Sequence, residues 1–238
     1  MTNVKTVAAF EEFIGFCSGY GGSYNPGLPN LKLSALNELA VKARQALEDV
    51  NVAKSAWNIA TNNREIAFAG LPKSVSSITY ALAASGASEQ TMKDARVILR
   101  QMTGRRKSRE PIASGETTKP REKGRSFSQR GYESVTNHFA RLVQMLRDEP
   151  LYQPTEYFLS LQSLDQQVSK LHSLNTVVTD ARVTFSNARV ALHQMYYEDA
   201  HSVVATARSG KKYVRAIFGL NSIQYNQVKK IYFTKTKI

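Results

Sequence analysis

The chain of 238 residues is 42% apolar, carries a net charge of +13 and holds one cysteine, Cys17. A single cysteine excludes an internal disulfide framework and a zinc ribbon, and no run of about 18 apolar residues is present to span a membrane as a helix. Glu11 and Glu12 interrupt the apolar stretch from Val7 to Cys17, so no leader pattern is read there and a reducing, cytoplasmic setting is expected.

The charge is unevenly placed. Residues 1–103 hold ten Lys/Arg against eight Asp/Glu, and residues 131–204 hold five against eight. Residues 104–130 hold nine against three, and residues 205–238 hold eight against none. The body is near neutral; the excess sits in one internal segment and at the C-terminal end.

In chain order, a first helix is expected over 4–19, followed by a Gly- and Pro-rich loop from Gly21 to Pro29. Neither Pro nor Gly then occurs until Gly70, and the stretch is rich in good helix formers. Leu33, Leu36, Ala40, Ala43, Leu47, Val50, Ala53 and Trp57 alternate spacings of three and four, the seam of a helix in a bundle. Gly70-Leu71-Pro72 ends this helix, and Pro72 suits the first turn of a third, to about Ala84. Ser85-Gly86-Ala87-Ser88 breaks the chain again before a fourth helix ending near Met102.

Residues 104–130 are polar, charged and almost without large apolar side chains. Such a composition cannot offset its own ordering entropy, so a flexible basic linker is expected.

Beyond it the pattern recurs. Tyr24, Pro26, Leu31, Leu33, Leu36, Lys42, Val50, Ala53 and Ala60 reappear 128 positions later as Tyr152, Pro154, Leu159, Leu161, Leu164, Lys170, Val178, Ala181 and Ala188. Trp57 falls on Phe185. So long a period points to a duplicated unit, not a solenoid of short repeats. A helix over 131–148 matches the first, and Leu161, Leu164, Val168, Leu171, Leu174, Val178, Ala181 and Phe185 continue as a second long seam. A third helix ends at Phe218-Gly219, and Asn221-Ser222 caps a short fourth one ending near Ile231. Here Ser88/Ser222, Gln90/Gln224 and Arg96/Lys230 match at an offset of 134. Trp57 and Phe185 are expected in the core of their modules.

Tyr152-Gln153-Pro154, the run Leu159 to Leu164, Ala188-Arg189, Met195-Tyr196, Lys211 to Val214, Phe218-Gly219, Ser222, Tyr225 and Ile231-Tyr232-Phe233 resemble a family of uncharacterised bacterial helical proteins, mainly of Bacteroidetes. Ser23 to Pro26, Leu31 to Leu36 and Arg64-Glu65 to Phe68 carry the likeness in the first half. It covers nearly the whole chain outside 104–130. The family has no established activity, so the resemblance implies a fold and no functional residue.

Few residues suggest chemistry. His138, His172, His193 and His201 lack metal-ligand spacing; only His193 and Glu198 are near, at i+5, which an α-helix does not bring face to face. Cys17 reads as a buried thiol, since a nucleophile needs an electropositive setting and a positioned base. Gly19-Tyr20-Gly21-Gly22 follows a helix, not a strand, and lacks the Lys-Ser/Thr of a phosphate loop. Glu11-Glu12, Asp148-Glu149 and Glu198-Asp199 are helix neighbours that diverge by about 100°. No catalytic residue, metal or cofactor is expected.

The positive side chains allow a second reading. Arg105, Arg106, Lys107, Arg109, Lys119, Arg121, Lys123 and Arg125 in the linker, with Lys211, Lys212, Arg215, Lys229 and Lys230 near the end, are candidate polyanion contacts. Tyr196, Tyr197, Tyr213, Tyr225 and Tyr232 lie among or near them, and aromatic faces stack on bases while lysines follow phosphates. Alternatively Tyr213, Ile217, Tyr225 and Val228 face the core and the lysines only solvate the surface.

The fold expected is all-α: module 1–103, basic linker 104–130 and module 131–238, each module with a long central helix, packed as an elongated pseudo-twofold bundle. The function expected is that of a non-enzymatic structural or interaction protein with a protein partner or self-assembly. A nucleic-acid-associated protein without sequence preference is the alternative, and membrane-surface contact is not expected.

Overall fold

The computed structural model describes residues 2–103 and 131–233. The expectation of a flexible linker at 104–130 lies outside them. Among the described residues the fold is all-α, with no strand. The helices are α1 (Thr2–Gly19), α2 (Leu33–Ala69), α3 (Leu71–Ala84), α4 (Glu89–Thr103), α5 (Tyr132–Arg147), α6 (Leu161–His193), α7 (Val203–Phe218) and α8 (Ile223–Lys229). Single 3-10 turns lie at Pro29–Leu31 and Tyr157–Leu159, before the long helices, and a π turn at Gln194–Glu198 follows α6. The long helices have 37 and 33 residues.

Local chemistry sets the ends. Pro72 sits in the first turn of α3, where its missing N–H costs nothing. Gly86 and Gly219 take φ of 80° and 89° just after α3 and α7, a conformation that a side chain disfavours. The Ser88 hydroxyl accepts from the Thr91 N–H (3.0 Å), and the Ser222 hydroxyl from the Tyr225 N–H (3.1 Å), so each short last helix has a serine N-cap.

The chain folds into two compact units that cut across the repeats. One comprises Met1–Asn58 with Asp180–Ile238, the other Ile59–Thr179. Each unit thus takes the opening helix of one repeat and the closing pair of the other. Helix α2 begins in the first unit and ends in the second, and α6 does the reverse.

The core of the first unit joins Phe10, Phe13 and Cys17 of α1 to Leu36, Ala40 and Ala43 of α2. Leu192, Tyr196, Val203, Ala207, Val214, Val228 and Ile231 complete it. Gly210 lets α7 lie against α1: a Cβ there would stand 3.0 Å from Cε1 of Phe13 and closer still to Cζ. Trp57 and Phe185 belong to this unit but not to its core. They are half-buried and stack on each other, centroids 5.6 Å apart at 19°. Their half-burial corrects the expectation that both lie in the core.

In the second unit Leu71, Val75, Ile78 and Leu82 of α3 meet Met92, Ala95 and Ile98 of α4. Phe139, Leu142, Val143 and Leu146 of α5 and Leu164 and Leu171 of α6 close the core. Asn175, at the position matching Leu47, is buried and donates to Glu133 Oε2 (3.0 Å) and to the Thr136 hydroxyl (3.2 Å). Those bonds compensate the desolvation of the amide nitrogen, while Oδ1 is buried with no hydrogen-bond partner among the described residues.

Candidate functional site

The second unit carries a cleft of ≈ 660 Å³ between α3 and the loop that leads to α6. The loop is built on one residue. Tyr152 is 5% exposed, and its hydroxyl donates to the carbonyl of Leu159 across the loop (2.9 Å). Burial, with the nearby charge of Glu156, pushes this hydroxyl up to about 12, so it remains a donor. With Tyr152 and Leu159 turned inward, Leu151 and Phe158 face outward, 56% and 61% exposed. Across the cleft α3 presents Ser77, Ala81 and Ala84, and Tyr80 at 78% exposure. Glu156 lines the cleft, is exposed, and has no ion pair among the described residues.

The first unit repeats this construction and fills it. The Tyr24 hydroxyl donates to the carbonyl of Leu31 (3.0 Å), and the ring of Tyr213 packs edge-on to Tyr24, centroids 5.5 Å apart at 86°. The buried residues of α3, Leu71, Val75, Ile78 and Leu82, match Val203, Ala207, Gly210 and Val214 of α7 at an offset of 132. On that pairing Ser77 matches Ser209, Ala84 matches Ala216, and Ala81 stands where α7 has Tyr213. The cleft thus has an alanine at the position where the first unit sets a tyrosine against Tyr24. Reading the helices at 134, the offset of their serine caps, hides this exchange; aligning the apolar seams would have found it.

A second group of polar side chains gathers at the π turn of the first unit. A π turn places residues i and i+5 together, so His193 Nδ1 lies 3.4 Å from Glu198 Oε1. The sequence reading discounted this pair on α-helical geometry, and the wider turn corrects it. Tyr197 lies beside the His193 ring (5.2 Å) and shares a hydrogen bond with the Thr6 hydroxyl (3.2 Å). The hydroxyl of Tyr196 donates to the carbonyl of Ala43 (2.8 Å). These bonds tie the junction of α6 and α7 to α1 and α2, and their chemistry is that of a structural joint.

The basic candidates fare unevenly. Arg105, Arg106, Lys107, Arg109, Lys119, Arg121, Lys123 and Arg125 lie outside the described residues. Lys211 is half-buried, donates to the carbonyl of Ile231 and stands over the Phe233 ring at 5.1 Å. Burial, with Arg208 nearby, lowers its pKa. It holds Ile231 and Phe233 in place. Arg215 lies 5.9 Å from the Tyr225 ring. Lys212, Lys229 and Lys230 are exposed. Of the tyrosine face, Val228 is fully buried and Tyr213 and Tyr225 are half-buried, but Ile217 is 41% exposed. The seam of α7 runs Val203, Ala207, Gly210 and Val214 and passes on to the partly buried Phe218, which leaves Ile217 outside it.

Cys17 is buried, and desolvation pushes its thiol up to about 12, the opposite of an activated thiolate. Among the described residues no group of three or more His, Cys, Asp or Glu is placed to hold a metal ion. Nor is any described helix long and apolar enough to cross a membrane.

Compared with known proteins, the chain matches no family model, no curated protein and no solved structure.

Proposed function

We propose that the protein is a non-enzymatic interaction protein, a helical scaffold whose partner-facing surface is the cleft of the second unit. The observation that carries this reading is the open slot over Tyr152, rimmed by the exposed Tyr80, Leu151 and Phe158. Apolar side chains grouped around a concave surface favour association, because burying them releases water at little conformational cost for rigid rings. The test is co-purification from native cells of wild type against Tyr80→Ser/Phe158→Ser, two changes on exposed side chains. The same protein bound stoichiometrically by the wild type and lost by the double variant supports the reading. Identical partners for both, or none for either, refutes it.

A second reading keeps the positive charge. Residues 205–238 hold no acidic side chain, and Lys212, Lys229 and Lys230 are exposed there. Binding to nucleic acid through them would weaken steeply with salt, since each neutralised phosphate releases counterions. Absence of binding to single or double strands at about 50 mM salt, well inside the range where such contacts are strong, would remove this alternative.

A further inference from the structure

The last described residues of the first unit form a projecting aromatic. Ile231 is 5% exposed and belongs to the core. Phe233 packs against that core beneath the Lys211 ammonium. Lys211 also binds the Ile231 carbonyl. Both neighbours of Tyr232 are anchored, and Tyr232 itself stands 82% exposed. An aromatic ring held outward by anchored residues on either side loses little freedom on binding, which is the quality of an interface anchor. Beside it Lys229 and Lys230 are exposed.

The cleft of the second unit is the complement of this feature. It has Ala81 where the first unit sets Tyr213 against Tyr24, and it carries the exposed carboxylate of Glu156, which has no ion pair among the described residues.

We infer that the cleft receives Tyr232 of a second copy of this chain, with Lys229 or Lys230 of that copy beside Glu156. The inference rests on the reading of the cleft as the partner-facing surface and names its occupant. The projection and the cleft lie on different parts of the chain, so two copies close reciprocally in an isologous pair, or successive copies join head to tail in a heterologous ring or chain.

Sedimentation velocity of the full chain across a concentration series, at low and high salt, tests this. The wild type associates. Tyr232→Ser removes the ring, Ala81→Tyr fills the slot with the residue that fills it in the first unit, and each weakens association about tenfold or more. Glu156→Lys weakens it and reverses the salt dependence, because attraction becomes repulsion. A mixture of Tyr232→Ser, whose cleft is intact, with Ala81→Tyr, whose tyrosine is intact, forms a complex that neither variant forms alone. If Ala81→Tyr fails to fold, Tyr80→Ser/Phe158→Ser supplies the cleft-defective partner. A wild type that stays monomeric throughout overturns the inference. So does association unchanged by Tyr232→Ser. If in either case the cleft variant still loses a bound protein in co-purification, the tail is refuted as occupant and the cleft keeps its role.

Discussion

Gly210 faces the Phe13 ring, and Phe13 is fully buried with Phe10 stacked beside it. Adding one methyl at Gly210 would normally favour a helix, since Gly is a poor helix former. Here the ring has nowhere to go, and the sign reverses: Gly210→Ala should destabilise by about 1–3 kcal/mol, read by urea unfolding, and an increase in stability would show that the two helices part easily. The sequence gives little warning of this, because a lone glycine in a helix looks like a weakness until its neighbour is known. A second residue sets a pH response. His138 is buried in α5, and burial, with Arg141 nearby, lowers its pKa from the usual 6.5. The unfolded chain therefore takes up the proton first, so this contribution is intact above about pH 6.5 and is lost as pH falls toward the folded value. Melting temperatures taken between pH 7.5 and 5.5 should fall on the acid side, by less in His138→Gln; equal slopes would exclude His138 as a cause.

At the scale of elements, the two tyrosine-pinned loops are the clearest match between sequence and structure. Tyr24-x-Pro26 and Tyr152-x-Pro154 recur in register with Leu31 and Leu159, and both hydroxyls bond the carbonyl of that leucine. Tyr→Phe at either position strands a buried carbonyl, so each should cost about 1–3 kcal/mol, measured by thermal unfolding. A near-zero cost at Tyr152 alone would mean that water in the open cleft replaces the bond. Helix existence, the Pro72 start and the serine caps were also legible, because they follow from composition and local hydrogen bonding. What was not legible depends on neighbours. The apolar spacing that placed Trp57 and Phe185 on a seam says nothing of what the seam packs against, and Ala81 has meaning only beside Tyr213. The π turn has no signature in His193 to Glu198, and its residues Tyr196 and Tyr197 bond α2 and α1.

For the whole molecule, the decisive fact is that the compact units draw on both repeats. A repeat in sequence suggests an autonomous module, but contact between distant segments is invisible to local patterns. The expected consequence is that neither residues 1–103 nor 131–238 expressed alone folds, since each holds only part of either core. Co-expressed, the two pieces should purify together with the helicity of the intact chain. Circular dichroism of each piece decides it: a cooperative melt from either one alone would show that a repeat is self-sufficient after all.

The same division sets an order of events at the ribosome. Residues 59–179 are contiguous, so the second unit has every part it needs once α6 has emerged. The first unit must join 1–58 to 180–238, and its opening segment has no finished partner until the last helices are made. Throughout that interval Phe10, Phe13 and Leu36 have no completed core to enter, and closing so long a loop is slow. Synthesis therefore holds α1 in a state that invites chaperones or premature pairing with a neighbouring nascent chain. Chains stalled once residue 179 has left the ribosome should show protease protection in 59–103 and 131–179 but not in 1–58, and early protection of 1–58 would contradict this order.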